Sequence, residues 1–137
     1  MFSNDRDIIK NTYQSFLGIC FFYTFDTMQK NQLYKGSLST IVLKLLNDKG
    51  KMYGYQITRE VERITSGDMI ITEGALYPTL HKLEAKGLLS IEIKTVNNRP
   101  RKYYFLTENG KKETVNLLNE MKAFIQNMDI LLNPKLT

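Results

Sequence analysis

The apolar residues of this sequence switch from a helical to a strand-like spacing at Gly87, and that change limits the folds open to the chain. Up to Gly87 three stretches repeat with the period of a helix. Beyond it Leu89, Ile91 and Ile93 alternate with Ser90, Glu92 and Lys94, the period of a strand with one buried face. Helices, then a hairpin, then one more helical stretch describe a mainly α domain with a small β-hairpin.

The first helical stretch follows Ser37, a residue that can cap it. Leu38, Ile41, Val42, Leu45 and Leu46 fall at i, i+3, i+4, i+7 and i+8 and make one buried stripe, which Asp48-Lys49-Gly50 stops. After Tyr53-Gly54, Ile57, Val61 and Ile64 repeat at i, i+4 and i+7 as far as Ser66-Gly67-Asp68. A short extended piece, Met69-Ile70-Ile71, leads to a third helix. Thr72 caps it, Leu76, Leu80 and Leu83 face inward, and Gly87 ends it. Pro78 falls inside this helix. Proline is tolerated in a first turn but costs about 3 kcal/mol deeper in, so the regular helix is expected to begin nearer Leu76 or to have an irregular first turn.

The alternating strand runs into NNRPRKYY, Asn97 to Tyr104. Asn97 and Asn98 tolerate the positive φ of a turn. The return strand, Lys102 to Leu106, is rich in aromatic side chains that suit a pleated surface. Of the neighbours Tyr103 and Tyr104, one faces the core and the other the surface. Arg99, Arg101 and Lys102 thus crowd the tip of a two-stranded ribbon, stiffened by Pro100.

The last helix begins near Thr107, with Glu108 in the first turn, where a carboxylate meets the positive end of the helix dipole. With Met121 and Met128 at heptad position a, Leu117, Phe124 and Leu131 fall at d, and Leu118, Ile125 and Leu132 at e. Three short helices cannot bury so long a stripe, and the excess implies a second copy of the chain. Met121, Phe124 and Met128 also suit the floor of a pocket for flat apolar molecules, although such side chains commonly form plain core.

With 137 residues the chain is the size of one domain. It carries 19 basic against 14 acidic residues, a net charge of +5 that suits an anionic partner without naming one. A single cysteine, Cys20, excludes an internal disulfide and a cysteine-based zinc cluster, and a single histidine, His81, leaves no histidine-rich metal site. No glycine-rich phosphate loop occurs, nor any set of nucleophile, base and orienter. The expectation is therefore no enzyme, no metal and no cofactor. The strongest apolar run, Phe16 to Phe25, is shorter than the roughly 18 to 20 residues of a membrane span. Its flanks lack the charge and cleavage site of an export signal, so a cytoplasmic protein with no membrane partner is expected.

Residues 1–32 are expected to stand apart, as a leader or an extra helix. Taking Arg6 and Lys10 from the cations and Asp5, Asp7 and Asp26 from the anions leaves 17 against 11 over residues 28–137, a net +6. Either Met28 is the natural start and the residues before it are over-called coding sequence, or an N-terminal helix packs on the domain. The remaining divisions are a winged helix-turn-helix over 33–106, a dimerisation helix over 107–132 and a tail over 133–137.

In a winged helix-turn-helix the second helix braces the third, and the third fits a major groove about 12 Å wide. Thr72, Glu73, Gly74 and Tyr77 lie at the end that approaches base edges, with Thr79 and Lys82 on the outward face opposite Leu76, Leu80 and Leu83. Thr72 is expected both to cap and to touch DNA, and Tyr77 to touch phosphate. His81 is expected to be merely solvated, and Gln56 either touches phosphate or is solvated. The wing, Asn98, Arg99, Arg101 and Lys102, is expected on the phosphate backbone or in the neighbouring minor groove, releasing counterions as it binds.

YGYQITREVE (Tyr53 to Glu62), TEGALYPTLHKLEAKGLL (Thr72 to Leu89) and RPRKYYFLTENGKK (Arg99 to Lys112) closely resemble the PadR family of bacterial transcriptional regulators. The resemblance covers roughly residues 33 to 132 and is to the shorter subfamily, in which one C-terminal helix replaces a longer domain. It implies a homodimeric repressor that binds double-stranded DNA at a palindromic operator and releases it when a small aromatic or drug-like effector binds. Two departures stand out. The turn is Asn97-Asn98-Arg99 where the family often has glycine, and the absence of tryptophan argues against a pocket of stacked indoles. Residues 1–27 have no counterpart in the resemblance. The competing reading is a winged helix that docks an acidic protein instead of DNA; preference for one duplex over random DNA separates the two.

Overall fold

The computed structural model of the chain describes residues 34–133. The leader or extra helix expected over 1–32 lies outside the described residues, as does nearly all of the 133–137 tail. The chain divides between Lys35 and Gly36, and every element below belongs to the second unit. In order these are α1 (Leu38–Lys49), β1 (Met52–Tyr53), α2 (Gly54–Ile64), α3 (Glu73–Ala85), β2 (Leu89–Val96), β3 (Arg99–Leu106) and α4 (Glu108–Leu132).

Helix α1 is the centre of the core. Leu38, Val42, Leu45 and Leu46 are buried as their spacing predicts, and Leu43 and Thr40 are buried with them. The wider burial follows from α3, α4 and β3 all packing on α1. Ile57 and Val61 of α2 join the core, but Ile64 is 56% exposed. Ile64 is the last residue of α2, and the chain turns away there through Ser66 and Gly67, both with positive φ. Leu76, Leu80 and Leu83 come from α3, Leu89 from β2 and Tyr104 from β3. Each large side chain taken wholly out of water contributes about 1.5–3 kcal/mol.

The sheet has three antiparallel strands in the order β1-β3-β2. Its two-residue member β1 pairs Met52 with Tyr104 and Tyr53 with Tyr103. The hairpin is in register from Leu89 opposite Leu106 to Val96 opposite Arg99. Asn97 and Asn98 form the two-residue turn with φ of 50° and 59°, the paired positive values of a type I′ hairpin. So tight a turn lets pairing run to the tip, and the return strand starts at Arg99 rather than Lys102. Pro100, opposite Thr95, fits because Val96 and Arg99 are the bonded pair beside the turn. Its nitrogen therefore faces away from β2, where β1 does not reach. Ile93 departs from the expected buried face and is 64% exposed. Its parity is that of Leu89 and Ile91, but the ribbon has by then run past the helices.

The regular part of α3 begins at Glu73 and not near Leu76. Thr72 caps it, its hydroxyl accepting the Ala75 N–H at 3.3 Å. Pro78 is accommodated within a continuous helix, so the Gly74 carbonyl lacks the N–H it would otherwise receive. Thr107 ties the last helix to the third. Its hydroxyl donates to the Gly87 carbonyl at 2.7 Å and accepts the Gly110 N–H at 3.0 Å. Gly110 then lies so close to the sheet that an added Cβ would meet the Leu88 carbonyl oxygen at 2.1 Å.

Candidate functional site

The three inward leucines fix the roll of α3. Opposite them, at i, i+4, i+7 and i+8, stand Gly74, Pro78, His81 and Lys82, all exposed. Thr72 and Glu73 are exposed at the start of the helix, Glu73 in its first turn. Thr79 is corrected. It is half-buried on the flank of the helix, and its hydroxyl donates to the Ala75 carbonyl at 3.1 Å. Three and four residues beyond Leu76 and Ala75, it sits too near the leucine row to face outward.

Tyr77 is 38% exposed and packs on the first residue of α2. A Cβ at Gly54 would stand 2.8 Å from the Tyr77 hydroxyl oxygen and 3.0 Å from the ring carbon that bears it. Gly54 is thus the seat of Tyr77, a pairing that neither local sequence discloses. Below them Tyr104 is buried, and that burial raises its hydroxyl above the usual tyrosine range, with Tyr77 and Glu84 adding to the effect. Gln56 caps α2: its side-chain oxygen accepts the Tyr53 N–H at 3.1 Å. The N-cap-to-third-residue spacing of Tyr53 and Gln56 was the available signal.

The wing carries four cations, Lys94, Arg99, Arg101 and Lys102, and no carboxylate between Ile93 and Lys102. Register divides them. Lys94 lies directly opposite Arg101, so the two share a face, and Arg99 has the same parity; Lys102 takes the face of Tyr104. Lys94 was not among the residues expected at the wing, because only the pairing brings it beside Arg101. Aromatic rings flank two of these cations. The Arg101 guanidinium lies 4.7 Å from the Tyr53 ring centre, and the Lys94 ammonium 5.5 Å from that of Tyr103. The Tyr53 and Tyr103 rings meet edge to face at 5.5 Å. Glu92, nearer the base of the ribbon, pairs with Lys51 and also interacts with the charge of Lys94. Asn98 is exposed at the turn.

The model of the transcriptional regulator PadR-like family matches residues 42–116. The chain belongs to the PadR-like family. Its helices and three-stranded antiparallel sheet form the winged-helix architecture, with solved relatives of the same fold. A transcriptional regulator from Clostridium thermocellum superposes with a TM-score of 0.65 at 25% identity, covering 77% of this chain and 99% of that one. A PadR family transcriptional regulator from Eggerthella lenta also gives 0.65 at 25% identity, over 83% and 94%. The Mycobacterium tuberculosis transcriptional regulator Rv3488 is 39% identical over 61 residues, which span 44% of this chain and 54% of that protein. The family is one of transcriptional regulators, not enzymes.

In the PadR-like chain α4 starts on the domain and runs off it. Gly110 and Thr114 are buried, Leu117, Leu118, Met121 and Met128 are half-buried, and Phe124, Ile125, Leu131 and Leu132 are exposed, Phe124 by 60% and Leu131 by 73%. An open groove of about 400 Å³ lies elsewhere, lined by Met52, Tyr53, Tyr55, Gln56, Arg59, Glu60 and Arg63. None of Met121, Phe124 and Met128 lines it. In its wall the Glu60 carboxyl is pushed down from 4.5 to about 2, chiefly by the Arg63 guanidinium and then by Lys49. No helix among the described residues is long and apolar enough to cross a membrane.

Proposed function

We propose that this PadR-like chain is a cytoplasmic, homodimeric, sequence-specific DNA-binding repressor. One observation carries the reading: an exposed helix face beside a ribbon tip that holds four cations and no carboxylate. Residues 33–106 form the reading head. Thr72, Glu73, Gly74, Tyr77 and Lys82 approach the major groove, while Asn98, Arg99, Arg101 and Lys102, joined by Lys94, grip the phosphate backbone. Residues 107–132 join two copies through Leu117, Leu118, Met121, Phe124, Ile125, Met128, Leu131 and Leu132. Two-fold symmetry then demands a palindromic operator with half-sites about 10 bp apart or a multiple of that. Repression, with release by a small aromatic or apolar effector, rests on the family resemblance and on the adaptable methionines of α4.

The test is selection of bound fragments from random duplex DNA at physiological salt. Enrichment of a palindrome with that spacing is the expected result. Recovery of random sequence, with an acidic protein bound instead, would leave the docking-module reading in its place.

A further inference from the structure

We propose that Gly74 and Pro78 form a notch that lets α3 lay its backbone close against one A·T pair of the operator. In this arrangement the Pro78 ring and Ala75 read the thymine methyl by contact, rather than through side-chain hydrogen bonds. The proposal deepens the DNA-reading role of α3 and rests on it.

Glycine and proline are the two residues least favourable to a helix, and here they stand one turn apart on the same exposed face. Nothing inside the domain accounts for either. Gly74 is not among the glycines with positive φ, and a Cβ built on it meets no atom within 4 Å. Pro78 is exposed and lies beyond the first turn, where its missing N–H would have been free of cost. Residues that defeat local preference without an internal reason mark a surface shaped by what it meets.

The two residues also act on the same spot. Gly74 removes the side chain from the ridge of the helix. Pro78 removes the N–H that would occupy the Gly74 carbonyl, leaving that oxygen as an acceptor for a group outside the helix. Exposed Ala75 adds a second small apolar surface beside them. The first side-chain donors on this ridge come later, at His81 and Lys82. A ridge so thin and apolar, with one carbonyl deprived of its i+4 helical N–H, has a definite complement in the major groove. The A·T pair alone offers a methyl group together with the amino donor of adenine N6.

The test uses the full chain and the operator obtained by selection, with thymines replaced one at a time by deoxyuridine, which removes only the methyl. One position in each half-site should then lose about fourfold in affinity, the value of one buried methyl-sized group, while binding to random duplex stays unchanged. Gly74→Leu should keep or raise the thermal midpoint, since the position is open and leucine favours a helix, yet abolish preference for the operator. Pro78→Ala, which restores the helical hydrogen bond, should fold and lose the sensitivity to deoxyuridine. Wild-type binding indifferent to deoxyuridine at every position, or a Gly74→Leu variant that keeps its preference, overturns the notch alone. Failure of the wild type to select any duplex overturns the DNA-reading function with it.

Discussion

Gly54 and Gly110 are both places where a side chain would collide, yet the collisions differ in kind. At Gly110 the obstacle is the backbone oxygen of Leu88, at 2.1 Å from an added Cβ. Neither side of that contact can give without moving α4 off the sheet. Gly110→Ala should therefore cost about 3 kcal/mol or more, the upper end for overpacking, in urea unfolding. At Gly54 the obstacle is the Tyr77 ring, which can rotate away. Gly54→Ala should cost about 1 kcal/mol, and most of that should vanish in a Tyr77→Leu background. A double-mutant cycle with coupling below about 0.5 kcal/mol would mean that the ring does not rest on Gly54. Neither contact is legible locally: Gly54 and Tyr77 come from different helices, and Leu88 stands 22 residues before Gly110.

At the scale of the element, the wing and α2 make contrasting use of charge. Lys94 and Arg101 lie on aromatic rings and form no ion pair among the described residues, so under the proposed role a phosphate would have no salt bridge to displace. Replacing Arg99 and Arg101 together by alanine should weaken binding to all duplexes and lower the slope of log affinity against log salt by up to about 2. Lys94→Ala should lower it by up to about 1, as its place beside Arg101 requires. A slope left unchanged by all three substitutions would remove the wing from the interface. In α2 the charges are paired. Glu60 has its folded value depressed from 4.5 to about 2, by Arg63 first and Lys49 second. Its contribution to stability is therefore present above pH 4.5 and lost as acid carries the protein down towards pH 2. A carboxyl titration followed by NMR should place the Glu60 midpoint near 2, and Glu60→Gln should flatten that part of the acid-stability profile.

On the scale of the whole molecule, α4 is the helix proposed to join two copies. Phe124, Ile125, Leu131 and Leu132 are exposed and lie in one stripe towards the end of the helix. Phe124→Asp with Leu131→Asp should weaken self-association by at least about 3 kcal/mol, read by sedimentation equilibrium. Operator affinity should fall with it, while a single half-site is bound as before. A double variant that remains dimeric would put the joining surface elsewhere.

Periodicity, caps and turn chemistry are local properties, so the amino-acid order alone announced four helices, the hairpin, the Asn97-Asn98 turn and the Thr72 cap. It also placed the cations at the ribbon tip. Burial is not local. Ile64 and Ile93 have the spacing of core residues and are exposed, because their elements outrun the neighbours that would cover them. Lys94 joined Arg101 across the hairpin and Tyr53 entered a two-residue strand, each through pairing between distant segments. A chain can specify the face of each element by its own repeat. Which part of that face is covered depends on where other elements stop, and that emerges only when they pack.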